Sequence, residues 1–226
     1  DSIRTINRST IDEVQNRVRQ DINSAKLIYN NTLRQISSLI QFAAEGQNLQ
    51  EVIAHRDIRK MESLTALIRP NKDVTASDTD FFLDMLTLVD VDGKVLYRAA
   101  HPESRGDNIF YDQIVKKCIL TKAPVTSTEL LPIEDIMTEN PSLSKRVNVD
   151  ILKTPLSVDI EEKKLSNGLV MRAAYPIMDK SKNLVGVLVG GNLLNNDFRI
   201  VDQIKATVYQ GEKYKGRDIG VATIFQ

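Results

Sequence analysis

The chain has no tryptophan and a single cysteine, Cys118. One cysteine excludes a disulfide framework and a cysteine-based metal site. Within the helix-like run YDQIVKKCIL it reads as a small core hydrophobe rather than a reactive thiol. Only two histidines occur, His55 and His101, and neither sits in an H-E-x-x-H or other dense ligand spacing. No metal and no cofactor is therefore expected. A G-x-S-x-G elbow is also missing, and nothing positive points to an enzyme. Thirty basic and thirty acidic residues leave no net charge. With no basic patch carrying interleaved aromatics, a nucleic-acid partner is not expected. No apolar run approaches the roughly 20 residues of a membrane span. No signal peptide is visible, and both ends are abrupt, so the chain reads as a piece of a longer protein.

What is present begins with a long helical pattern. From Ile3 to about Ala44, apolar residues recur every three or four positions: Ile11, Val14, Val18, Ile22, Ala25, Ile28 or Tyr29, Leu33, Ile36 and Ile40. Such a helix is longer than one domain core needs. Its N-terminal half is expected to pair with a second copy as in a coiled coil, and its C-terminal half to pack on its own domain. Gly46 ends it, and Asn48 with Glu51 suits the start of a short helix. The run RDIRKMESLTALIRP is helical up to Pro70. Then the period changes to two. DMLTLVDV and KVLYRAA form a hairpin around Asp92-Gly93. IFYDQIVKKCILTK is helical. Residues 124–167 read as irregular and polar, with helical patches at IEDIM and PSLSKRV. GLVMRAAYPIMD and NLVGVLVGGNLL form a second hairpin, followed by the helix NNDFRIVDQIKATV, with Asn195 or Asn196 as its cap. Tight turns join antiparallel strands, so the fold class is α+β.

Two tempting motifs fail on spacing. In DVDGKV the glycine stands fourth, whereas an EF-hand loop needs it sixth. Gly186, Gly190 and Gly191 are not spaced G-x-G-x-x-G, and glycines inside a strand commonly permit close backbone approach. The remaining signal is cationic. Arg98 ends one hairpin strand and Arg172 lies within another, each followed by Ala-Ala. A guanidinium offers a planar fork that fits a carboxylate. Either these arginines meet a ligand, or they pair with the chain's own acids, for which Asp107, Asp112 and Asp179 are the nearest candidates. His101 adds a further hydrogen-bond donor. It lies three residues from Arg98, so it reaches the same cavity only if the chain bends at Ala99–Ala100. Arg105 reads as a loop charge near Asp107.

The stretches VDVDGKVLYRAAHPESRGDN and GLVMRAAYPIMDKSKNLVGVLVGGNLLNND together resemble bacterial extracytoplasmic Cache (PAS-like) sensor domains of chemoreceptors and sensor histidine kinases. They also resemble the periplasmic domains of citrate and dicarboxylate sensors. In those, an RYSHP element follows the D-x-x-G hairpin and an LR-x-x-x-PI element precedes a GVV-x-x-G strand. The likeness covers residues 84–112 and 167–205. It places Arg98 and His101 on the Arg and His of RYSHP, and Arg172 on the Arg before PI. The resemblance implies that these three hold a ligand carboxylate. Tyr111, Tyr175 and Asn192 are then expected as pocket walls. This chain has Ala99-Ala100 where those sensors have Tyr-Ser, and no lysine two residues after Arg172, which favours a small carboxylate over a tricarboxylate. The resemblance further implies a homodimer through the N-terminal helix. The membrane would be reached through flanking segments, with this part in the periplasm or outside the cell. It divides the chain into helices over 1–70, a sensor domain over 71–206, and a linker over 207–226 that opens a possible second Cache unit. A ligand-free sensory or dimerisation domain, taking its signal from a partner protein, stays open as the alternative.

Overall fold

The computed structural model describes residues 2–46, 49–69, 81–148, 167–209, 213–214 and 217–218. Its contacts form two units, residues 33–197 and residues 1–32 with 198–226. Helix α1 spans Ser2–Gly46. Helices α2 (Leu49–His55) and α3 (Ile58–Met61) follow, the latter continued by a 3-10 turn over Glu62–Leu67. Asn48 and Pro70 lie outside the described residues. The first hairpin is β1 (Met85–Asp90) and β2 (Val95–Arg98), followed by α4 (Gln113–Thr121). Strand β3 (Val125–Pro132) leads into α5 (Ile133–Glu139), a 3-10 turn over Pro141–Leu143, and α6 (Ser144–Val147). The second hairpin is β4 (Asn167–Met178) and β5 (Leu184–Leu193). In the other unit, α7 (Arg199–Tyr209) is followed by a short antiparallel ribbon of β6 (Lys213–Tyr214) and β7 (Arg217–Asp218). Helices 33–69 thus group with the sheet, a different division from the one read at residue 70.

The five strands of the larger unit form one antiparallel sheet in the order β2-β1-β5-β4-β3, the α+β, PAS-like arrangement. Alternation sorts its side chains onto two faces. Leu86, Leu88, Met171, Ala173 and Tyr175 share the face covered by the end of α1 and by α2. A Cβ added at Gly190 would stand 3.3 Å from Ile40 of α1, which shows how closely helix and strand approach there. Met85, Thr87, Val89, Val187, Val189, Arg172 and Ala174 share the other face. On it, α4 packs Ile114, Val115 and Cys118 against Val89, Val187 and Val189. Beside it, Ile136, Leu143 and Val147 pack against Met85, Val170 and Leu193. Burial bears out Cys118 as a core residue and pushes its thiol up to about 12.

Both hairpins turn by one device. Asp90 Oδ1 accepts from the backbone N–H groups of Asp92 and Lys94, and Asp179 Oδ1 does the same for Ser181 and Asn183. The left-handed position is filled by Gly93 (φ 79°) in the first and by Lys182 (φ 65°) in the second. This answers the calcium-like DVDGKV: its first aspartate folds the turn.

The strand β3 corrects the reading of residues 124–167 as irregular. Its pattern is not amphipathic because two inward positions are polar. Ser127 pairs across from Arg172, and Glu129 lies one pleat further on the same face. The helix cap is corrected as well. Asn195 accepts from Leu169 N–H, Asn196 (φ 53°) donates to the Arg146 and Asn148 carbonyls, and α7 begins only at Arg199. Along α1, Ile11, Val14, Val18 and Ile22 are all more than half exposed, whereas Ile36 and Ile40 are fully buried.

Candidate functional site

Arg98 reaches the polar face of the sheet by way of a β-bulge. Thr87 pairs with Arg98 and Val89 with Val95, so Leu96 is the extra residue. Without it, Val95 and Arg98, three apart, would face opposite sides. With it, Arg98 points to the α4/α5 face and is 1% exposed. The chain then turns at once. His101 N–H donates to the Arg98 carbonyl, so the chain bends at Ala99–Ala100. The following loop doubles back on β2, with Gly106 N–H on the Val95 carbonyl and Val95 N–H on the Asp107 carbonyl. This return closes the loop around the guanidinium. Asp107 accepts two hydrogen bonds from it at 2.7 and 2.8 Å, and Ser104 accepts through its carbonyl at 2.9 Å and its hydroxyl at 3.2 Å. Nε donates to Glu139 at 2.7 Å. Burial would lower the Arg98 pKa, but Asp107 and Glu139 raise it, and the charge is held.

Arg172 enters from β4 and is 7% exposed. Gly191 stands opposite on β5, and a Cβ there would lie 3.0 Å from Arg172 Cγ and 2.3 Å from the Met171 carbonyl oxygen. The glycine therefore makes the space the guanidinium stem occupies. Its partners are Asp112 at 2.7 Å and Glu129 at 3.0 Å. They outweigh the effect of burial and raise its pKa. Asp112 works at both ends: its other oxygen caps α4 by accepting from Ile114 and Val115 N–H.

Both arginines line one cavity of about 180 Å³, with Met85 and Val189 among its apolar walls. Asp107, Asp112, Asp135, Glu139 and Tyr111 also line it. Four carboxylates thus face two guanidinium groups. Asp135, on the first turn of α5, has no ion-pair partner among the described residues. Burial, with the charges of Asp112 and Glu134, pushes its carboxyl above the usual range. Tyr111 is 64% exposed, and burial together with Asp135, Asp112 and Asp107 raises its phenol.

Three expected residues stand elsewhere. His101 lies beside the cavity rather than in its wall, with Nδ1 donating to the Thr138 carbonyl at 2.9 Å. Tyr175 and Asn192 belong to the opposite face of the sheet. Tyr175 is three residues from Arg172, and Asn192 pairs with Met171, so alternation turns both toward the helices. Tyr175 donates to Glu45 of α1 at 2.6 Å. Asn192 accepts from Asp84 N–H at 2.8 Å and donates to the Phe82 carbonyl at 3.2 Å. Of the own-acid partners considered for the arginines, Asp107 and Asp112 are used, while Asp179 folds a turn. Sequence reasoning missed Glu129, Asp135 and Glu139, all within the segment read as irregular. No apolar alternation marked the first of them, because Ser127 and Glu129 share the inward face with Val125 and Leu131.

No model of a known protein family matches the chain, and no curated protein matches it. Among solved structures, it is similar to the periplasmic domain of LuxQ from Vibrio cholerae, at 13% identity and a TM-score of 0.48, covering 84% of this chain and 70% of that one. A second structure of that domain gives a TM-score of 0.45 at 13% identity over 84% and 69% of the two chains. An extracellular ligand-binding receptor from Desulfohalobium retbaense gives 0.35 at 13% identity, over 77% of this chain and 27% of that one.

Proposed function

We propose that the chain is the extracytoplasmic sensing domain of a membrane signal-transduction receptor, a chemoreceptor or a sensor histidine kinase, and not an enzyme. The cavity between Arg98 and Arg172 is its input site. One observation carries this: two buried arginines, from an edge strand and an inner strand, face one small polar cavity. Buried polar groups converging on a pocket are the usual mark of a ligand site. The ligand is a small carboxylate. At about 180 Å³ the cavity is below the roughly 300–1,000 Å³ of drug-sized sites, which suits a small acid. Since Arg98 and Arg172 already hold carboxylates of the chain, the ligand enters by exchange with one of them. A ligand that also carries an ammonium group finds a counter-ion in Asp135. The receptor is a homodimer in which the exposed stripe Ile11, Val14, Val18 and Ile22 meets its copy, and flanking segments reach the membrane.

Calorimetry against a panel of small mono- and dicarboxylates and amino acids tests this, with Arg172→Gln and Arg98→Gln checked for folding by circular dichroism. Binding to the wild type that is lost in both folded variants is the expected result. Equal binding by all three overturns the anchor assignment.

A second reading has its own observation. Arg98 is already held by Asp107 and Glu139, and Arg172 by Asp112 and Glu129, so the chain balances both charges by itself. A domain of that kind receives its signal from a partner protein. Absence of binding across the whole panel by a folded wild-type chain selects it.

A further inference from the structure

A second buried charge cluster lies where β5 ends and the chain leaves the sheet. Asp84 is 1% exposed. Its Oδ1 accepts from Arg69 and Arg146, each at 2.9 Å, and its Oδ2 accepts from Leu193 N–H at 2.9 Å. Arg146 also donates to the Leu193 carbonyl and, at 3.4 Å, to Asp197. Asn196 donates to the Arg146 carbonyl at 3.2 Å. The exit segment 193–197 is therefore tied to the start of β1 by Leu193 N–H on Asp84 and by Arg146 of α6, which bridges Asp84, the Leu193 carbonyl and Asp197.

The other end of the same helical block sits in the cavity. Glu139 ends α5 and holds Arg98 Nε and the Thr87 hydroxyl. The next residue, Asn140, is 5% exposed and donates to the Asp84 carbonyl at 2.7 Å. Its Oδ1 accepts from Ser142 N–H and Oγ at 3.0 and 2.7 Å, fixing the turn into α6. Ile136, Leu143 and Val147 pack the block on the sheet as one cluster with Leu193. A closely packed block moves as a unit rather than deforming gradually.

We propose that α5, the 3-10 turn and α6 form a relay. A change in the Glu139–Arg98 contact shifts Asn140, and with it the Asp84–Arg146 grip on residues 193–197, just before the chain enters α7. The relay gives the proposed input site its output, and so rests on that reading for its purpose. Its mechanics can be tested without a ligand.

Amide hydrogen exchange on the whole chain reads it. Glu139→Gln keeps the side chain's shape and removes its charge. Exchange at Leu193, Leu194 and Asp197 is expected to rise at least about fivefold, the low end of coupling between sites, while amides of residues 186–189 in mid-strand stay unchanged. Coupling is reciprocal, so Arg146→Gln must speed exchange at Ser104 and Gly106 in the loop that holds Arg98. Val115→Ala controls for general loosening, because it weakens the other hydrophobic cluster. The relay is overturned if Glu139→Gln acts only on residues 98–107 and 133–139. It is equally overturned if Val115→Ala loosens 193–197 as much, or if the effect runs in one direction only. Failure here leaves the cavity's role as a binding site untouched, and failure of ligand binding leaves the relay standing.

Discussion

Arg98 and Arg172 illustrate how a buried cation is made tolerable. Each guanidinium has two acidic partners, and Arg98 also draws on Ser104 of its own loop. Removing an arginine leaves two carboxylates facing each other, whereas removing one acid leaves the arginine a second partner. Arg98→Gln is therefore expected to cost about 3 kcal/mol of unfolding free energy, and Asp107→Asn, a half-exposed partner, about 1 kcal/mol. Urea titration of both variants checks the order, and equal costs would contradict it. Both arginines were legible in the sequence because each stands in a strand-like run directly before Ala-Ala, although Arg98 lies on the edge strand β2 and only Arg172 on an inner one. Their acids Glu129 and Glu139 were not, since which acid meets which base is decided by strand pairing and helix placement. Tyr175 and Asn192 lie on the opposite face of the sheet from Arg172, because alternation along β4 and pairing with Met171 turn them there.

Among the elements, α4 is fastened to the cavity through its cap residue Asp112, as α5 is through Glu139. One oxygen of Asp112 caps the helix and the other holds Arg172. The two roles can be separated by substitution. Asp112→Asn keeps a capping oxygen and loses the charge, while Asp112→Ala loses both. The alanine variant is expected to be less stable than the asparagine variant by about 1 kcal/mol, the worth of an N-cap. Thermal unfolding followed by circular dichroism measures this, and no difference would remove the capping role. The hairpins, α4 and the helical patches were readable because turn chemistry and apolar periodicity are local. Strand β3 was not, because the cavity it borders makes its inner face polar.

At the scale of the whole molecule, the cavity's surplus of acid sets the response to pH. Asp107 is held below the ordinary carboxylate range by its hydrogen bonds to Arg98. Between that lowered value and about 4 the unfolded chain binds more protons, so its stabilisation is complete above about pH 4 and is lost as pH falls. Asp135 has the opposite sign. Its raised pKa means that the folded chain binds more protons just above pH 4, so ionisation of Asp135 destabilises the fold as pH rises. Asp135→Asn is therefore expected to raise the melting temperature at pH 7, with the gain vanishing below about pH 4, where both states are protonated. Scanning calorimetry at both values checks it, and a gain that persists in acid would point to packing instead.

The central claim is that an incoming carboxylate takes the place of one of the chain's own at Arg98 or Arg172. A crystal structure with the tightest-binding acid of the panel tests it most directly. The account predicts the ligand's carboxylate in contact with one of these guanidinium groups, with the Asp107, Glu139, Asp112 or Glu129 side chain it replaces turned away. A ligand bound elsewhere, with all four ion pairs intact, would contradict it.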